Sequence, residues 1–332
     1  MIQRLYASTF SLARYPALLA ALLLIEPVFS SQYLIRIVNT MLIQAVAALG
    51  VNVVLGFAGL VSIAHAALMA LGAYTSALLM LKLGMPFPVA FLAACVFCGI
   101  VSGFVGLLGN RVETNYLLVI TLGIHVAIFL VIVNENWLTG GASGLFNVPK
   151  VEIGPWRLAN DRSYYWLTAP VFVAALYFAE RLRDSKPGRA MIAARLHTPA
   201  ARMSGINVNR YRVWAMVFAG VYFGASGSLF AHLIGFLGPE DFSLSLTLLL
   251  TLTVVVGGLG SNIAACVSLV ILTAIAEAFQ QAASSWLLFY GILIMVVMVV
   301  APRGMAGVAE SIVERIKRVR TLTRRPAGGA RL

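Results

Sequence analysis

Runs of about 20 apolar residues, the length an α-helix needs to cross a bilayer's hydrocarbon core, follow one another along this chain with little between them. They fall near residues 16–34, 37–57, 61–83, 87–108, 116–134, 164–182, 213–236, 244–260, 263–283 and 286–302. The short alternating segments of a membrane β-barrel do not occur in the sequence. The pattern predicts an all-α polytopic membrane protein with about ten transmembrane helices. Residues 1–302 form the transmembrane domain, and residues 303–332 form a basic tail outside it.

Composition agrees. Of 332 residues, 61% are hydrophobic and only 11% charged, too few polar side chains to cover a soluble domain of this size. The net charge of +12 is local: residues 181–212 carry eight Lys/Arg, and residues 303–332 carry another eight. Such asymmetry reads as membrane topology rather than nucleic-acid binding, and the tail is also suited to anionic lipid headgroups. Placing Arg4, Arg14, Arg111, the 181–212 island and the tail on the inner side requires an even number of crossings between each, which ten spans satisfy. Both termini are then cytosolic. The outer loops are 135–163, with three basic and three acidic residues, and 237–243, with Glu240 and Asp241 but no base. Arg4, Arg14 and Ala17–Ile25 have the cast of a signal peptide, but Glu26 and Pro27 interrupt the cleavage region, so a retained first span is expected.

Two spans carry interruptions. Residues 53–64 and 254–265 share two valines, two glycines and an alanine at a constant offset of 201. Glycine weakens a spanning helix and frees backbone groups, which is tolerable only where protein or a water-filled cavity satisfies them again. Paired breaks of this kind point to a central pathway in transporters. Internal duplication and chance similarity both account for five identities among twelve small residues.

The island between spans six and seven parses into two short helices. Pro187-Gly188 closes the preceding span, Arg189–Leu196 forms about two turns with Met191 and Arg195 on one face, Thr198-Pro199 starts a second helix, and Gly205 stops it. On sequence alone it is either a docking segment or an ordinary basic loop. Glu26, Glu277, His65 and His125 all fall inside apolar runs; Glu26 and Glu277, toward the outer end, are expected to pair structurally, and Lys82 snorkels outward. Cys95, Cys98 and Cys266 read as small packing residues, with no spacing for a metal site. Gly99/Gly103 and Gly220/Gly224 are small-residue faces, expected to pack helices within the subunit or between subunits. The sequence has no P-loop, no zinc-protease motif and no water-accessible nucleophile set, so this chain is not expected to be an enzyme.

Four stretches, taken in order, resemble the permeases of branched-chain amino acid ABC importers, particularly the LivM-type subunit. They are Asn52–Gly59 running into Ser62–Ala67 and Gly72–Tyr74; Leu138–Leu145; Gly188–Ala190 with Ala200–Arg202 and Gly205–Val208; and Val256–Ser261 followed by Ala301–Ala306. Two departures stand out. Arg195 is followed by Leu196-His197-Thr198-Pro199 where family members carry acidic and amide side chains, and Ala64 replaces the glycine that commonly precedes the membrane histidine.

The resemblance implies a permease subunit in the bacterial inner membrane. It would work with a second permease subunit, two cytosolic P-loop ATPase subunits and a periplasmic substrate-binding protein. It would bind no metal or cofactor itself, ATP being used by the partners. The substrate pathway is expected at Asn52, Gly56, Gly59, Ser62, His65, Gly257, Gly258 and Gly260. ATPase coupling is expected within residues 183–212, at Gly188, Arg189, Arg195, Ala200, Ala201, Arg202 and Gly205. The receptor-facing loop is expected at Thr139, Gly140, Gly141 and Gly144, with Pro239–Phe242 beside it. A permease for urea, short amides or sugars remains an alternative, as does an ion-coupled carrier; a carrier working alone has no need of a docking segment.

Overall fold

The computed structural model describes residues 31–110, 114–153, 156–158 and 160–280, together with residues 15, 18, 19 and 22. It is predominantly helical, as the apolar windows predict. The long helices are α1 (Gln32–Val51, continued by a π-helical turn Asn52–Phe57), α2 (His65–Leu83), α3 (Phe87–Gly109) and α4 (Thr114–Asn134). A short α5 (Asn136–Thr139) precedes α6 (Asp161–Asp184), α7 (Lys186–Leu196), α8 (Thr198–Met203), α9 (Val208–Ile234), α10 (Leu244–Gly257) and α11 (Asn262–Gln280). Six of the described helices are long and apolar enough to cross a membrane, which makes this a multi-pass membrane protein. Among the described residues the strand content is one hairpin of two-residue strands, β1 (Glu152–Ile153) and β2 (Trp156–Arg157), plus a single bridge between Leu145 and Leu237. The expected span 286–302, most of 16–34, Arg4, Arg14, Glu26, Arg111, Ala301–Ala306 and the tail 303–332 lie outside the described residues.

Helix boundaries follow local chemistry. Gly84 and Gly235, at φ 60 and 78, end α2 and α9 in the left-handed conformation that glycine adopts without penalty. The Asn207 side chain caps α9 by accepting from Arg210 N at 3.1 Å. Pro187 does not close α6. Ser185 Oγ accepts from Gly188 N at 3.2 Å, so Pro187-Gly188 forms the first turn of a new helix, where a missing N–H is harmless. Likewise the His197 ring, rather than Thr198, caps α8 through Ala200 N at 3.3 Å.

The connections sort to two ends of the bundle. At one end Leu145 and Leu237 exchange backbone hydrogen bonds at 2.9 and 3.0 Å, His232 Nδ1 meets Pro149 O at 2.8 Å, and Lys82 Nζ donates to Trp137 O at 2.9 Å. The loops expected to face outward therefore touch one another. At the opposite end Asn110 Nδ2 donates to Asn209 O at 2.9 Å, placing the end of α3 beside the start of α9, which follows the α7–α8 island.

The core is held by close backbone approach. The expected small-residue faces meet each other: a Cβ on Gly220 would lie 2.4 Å from Cys98 O, and one on Gly224 would lie 2.5 Å from Ala94 O. Gly99 and Gly103 accept Val217 and Val221 in the same crossing of α3 and α9. Packing within the subunit thus accounts for both faces. The far side of α3 exposes Leu92, Val96, Ile100, Phe104 and Leu107, a helical stripe suited to lipid. Cys95, Cys98 and Cys266 are buried free thiols, as packing residues should be. Glu277 accepts a hydrogen bond from the Tyr33 hydroxyl, the structural pairing expected of it.

Gly224→Val should lower the thermal unfolding temperature of the purified protein, because overpacking at a tight crossing costs about 1–3 kcal/mol. Gly123→Ala, where an added Cβ meets nothing within 4 Å, should leave it unchanged. Equal behaviour of the two variants would contradict the packing described.

Candidate functional site

The two glycine-bearing segments singled out in the sequence are both helix breaks, and the fold brings them together. The first begins where α1 loosens into its π turn. Ala58 N reaches Val53 O at 3.2 Å and Leu60 N reaches Val54 O at 3.0 Å, after which the chain runs without regular structure to His65. The second is the tight connection between α10 and α11, where Gly258 N bonds Val254 O at 3.0 Å and Ser261 N bonds Gly258 O at 3.1 Å. The 201-residue offset carries structural content: Gly56 and Gly257 are both helical, while Gly59 and Gly260, at φ 69 and 91, both leave the helix in the left-handed region. Each motif is a helix stop. Gly257 also lets α11 return closely, since a Cβ there would lie 2.7 Å from Ala264 O.

A polar chain ties the breaks together. Asn52 is fully buried; its Oδ1 accepts from Gly260 N at 2.9 Å and its Nδ2 donates to Asn262 Oδ1 at 2.7 Å. Asn262 Nδ2 donates in turn to Glu180 Oε1 at 3.0 Å, and Glu180 lies 3.9 Å from the Arg183 guanidinium. The pairing 52/262 does not follow the 201 offset, so equivalent residues are not simply exchanging contacts. In hydrocarbon surroundings each satisfied amide avoids a desolvation penalty of about 1–3 kcal/mol.

The island reaches into this junction through one side chain. Arg195, on α7, donates to the carbonyl of Gly56. Its stem covers Gly59, where a Cβ would lie 2.7 Å from Arg195 Cγ, and Nη1 is 3.7 Å from the Cβ position of Gly260. The spare carbonyl of one broken helix therefore bonds the guanidinium, and the turn that follows the other lies beside it. Partial burial lowers the pKa of Arg195 from the usual arginine value through desolvation, though arginine keeps its charge. Met191 and Ala194 are buried on the same side, so the helical face expected to carry Met191 and Arg195 points into the bundle. Ala201 and Gly188 are also buried, whereas Arg189, Ala200, Arg202 and Gly205 are exposed. Gly188 has no room for a side chain: a Cβ would lie 1.9 Å from Leu182 O.

Ser62 and His65 lie further along, where α2 starts inside the protein. Ile63 N donates to Thr121 Oγ1 at 3.0 Å and Ala66 N to Thr247 Oγ1 at 3.1 Å, so side chains from α4 and α10 serve amides that the helix start leaves unpaired. His65 stacks obliquely on Phe223 with centroids 5.3 Å apart. The Nδ1 atoms of His65 and His125 are buried and have no hydrogen-bond partner among the described residues.

At the opposite end Thr139, Gly141 and Gly144 are buried. Gly140, Gly141 and Gly144 have φ 80, 60 and 78 and shape the turn; what the loop presents outward is Trp137 and Phe146. Sequence reasoning missed Glu180, Asn262, Thr121 and Thr247. Glu180, a carboxylate just inside an apolar window, gave a usable signal; the threonines gave none.

Asn52→Ala should strand the Gly260 amide and the Asn262 side chain. Limited proteolysis of membranes should then show new cleavage near residues 257–261, and Gly59→Ala should do the same by straining a left-handed position against Arg195. Unchanged digestion patterns would contradict the junction.

The chain is similar to known transport proteins. A family model described as the permease component of branched-chain amino acid transport systems matches residues 33–301. The LivM permease protein of the high-affinity branched-chain amino acid transport system of Escherichia coli (strain K12) is 29% identical over 306 residues, covering 84% of this chain and 71% of the relative. Its counterpart from Salmonella typhimurium is 29% identical over 317 residues, covering 86% and 74%. No solved structure matches.

Proposed function

The chain belongs to the family of branched-chain amino acid transport permeases, and from that premise we propose that it is an importer subunit moving leucine, isoleucine, valine or similar small amino acids inward. The family match over residues 33–301 carries this reading, and the geometry supplies a way for it to work. About ten spans, the number the apolar pattern predicts, would place the α7–α8 island and both termini in the cytosol of a bacterium and the 135–160 loop in the periplasm. With no P-loop in its sequence, the chain draws free energy from two separate ATPase subunits, pairs with a second permease subunit, and receives substrate from a periplasmic binding protein.

The pathway runs from the α2 start, at Ser62 and His65, to the junction of Asn52, Gly56, Gly59, Gly257, Gly258 and Gly260. Irregular backbone at membrane depth beside the buried His65 and His125 rings supports a route lined by substrate or water. The ATPase faces the exposed side of the island, where Leu196 is 77% and Met203 91% exposed beside Arg189 and Arg202. Apolar knobs ringed by cations suit a groove on a soluble partner. The acidic residues missing after Arg195 leave this contact to packing and arginine. Receptor docking falls to Trp137, Phe146 and the Pro239–Phe242 turn, with Thr139, Gly140, Gly141 and Gly144 setting the loop's shape.

Reconstituted with its receptor, partner permease and ATPases, the chain should support ATP-dependent accumulation of radiolabelled leucine that unlabelled isoleucine inhibits and urea or glucose does not. Alone in vesicles it should show no gradient-driven uptake; robust uptake there would favour an ion-coupled carrier. Leu196→Asp with Met203→Asp should leave the permease in the membrane while the ATPase subunits no longer co-purify.

A further inference from the structure

We propose that Arg195 is the pin of the cytosolic gate, a positioning residue that holds both broken helices in the resting state and releases them when the island moves. This assignment rests on the importer reading above. It gives Arg195 a task distinct from ATPase docking, because its head points into the bundle while Leu196, Arg202 and Met203 face away from it.

The contacts fit a releasable pin. A guanidinium that meets a carboxylate in low-dielectric surroundings forms a strong bidentate pair. Arg195 instead meets a main-chain carbonyl, that of Gly56, at the end of one broken helix and beside the end of another. The nearby carboxylate of Glu180 is engaged by Asn262 and lies against Arg183, and no ion pair of Arg195 occurs among the described residues. One charge-assisted hydrogen bond and two helix-end dipoles hold a segment in place yet yield to a partner's pull.

The same contacts make release cooperative. Arg195 touches the first break directly, and the first break holds the second through Asn52 and Gly260 N at 2.9 Å. The second reaches α6 through Asn262 and Glu180 at 3.0 Å. Displacing α7 by a few ångströms strips the cation from Gly56 and the cover from Gly59 together. Two discrete arrangements follow, pinned and unpinned, of the kind that converts a small shift into a gating step.

The test uses the complete transporter in vesicles with Arg195→Ala and Arg195→Lys. The alanine variant should co-purify with its ATPase subunits at the wild-type ratio. It should hydrolyse ATP without the receptor, and leak preloaded leucine faster, each by about tenfold, the weight of one charge-assisted hydrogen bond. The lysine variant, which keeps the cation, should recover most of the coupling. Loss of the ATPase subunits from the alanine variant would mark a docking contact and overturn the pin. So would unchanged receptor-independent hydrolysis, or lysine performing no better than alanine. Hydrogen exchange on the wild-type transporter needs no variant: residues 56–60, 192–197 and 258–261 should lose protection together when ATP is trapped, and opening of 192–197 alone would also overturn it. Absence of wild-type leucine uptake would sink the substrate reading while the hydrolysis and exchange results still decide the pin.

Discussion

The hydrogen bond from Arg195 to the Gly56 carbonyl is the contact on which the arrangement turns. A helix that stops inside a membrane protein leaves carbonyls with no partner and a partial negative charge at its end. Here two such breaks are brought to one place, and a cation arrives from outside the spanning helices to bond one and lie beside the other. The sequence meets the demands of that convergence at each level. Left-handed glycines turn the chain at 59 and 260, helical glycines at 56 and 257 allow close approach, and Asn52 presents a donor and an acceptor at once.

Lipid imposes a harsher rule than water on everything nearby, because an unpaired backbone group has no solvent to turn to. The irregular entry into α2 is supported by side chains, with Ile63 N donating to Thr121, Ala64 N to Ser62 and, in the first turn of the helix, Ala66 N to Thr247. The same economy appears deeper in the core, where Ser102 and Ser226 donate to helix carbonyls at 2.7 and 2.8 Å. Packing supplies the rest. The α3–α9 crossing brings backbones close enough that Gly220 and Gly224 tolerate no Cβ.

Much of this was legible in the residues. Apolar windows located the described helices to within several residues, since about 20 apolar positions in a row have few other uses. The paired Gly motifs marked the breaks, and the basic island marked the segment between α6 and α9. What stayed hidden has a common cause. Pro187-Gly188 fits a helix end as well as a helix start, and only the Ser185 cap decides. Arg195 carries the same charge whether it faces a partner or the bundle, and its direction depends on Met191 and Ala194 burying the same side of α7. The resemblance points to the loop of Thr139, Gly140, Gly141 and Gly144 as receptor-facing, but not to which side chains it exposes: the glycines shape the turn while Trp137 is 81% exposed. Helix existence is written locally in such a chain; the direction of a polar side chain is set by contacts far away in sequence.

The proposal that a short basic segment governs the two adjoining helix breaks is most directly tested by the distance between that segment and a break in the working transporter. Lys186, on α7 with Arg195 but outside the docking knobs, and Leu259, beside Gly260, are both exposed, and the native thiols are buried, so spin labels can be placed on cysteines at those two positions. Double electron–electron resonance on the assembled complex should give one short, narrow distance without nucleotide and a longer one when ATP is trapped. A broad distribution at rest, or the same distance in both states, would contradict the account.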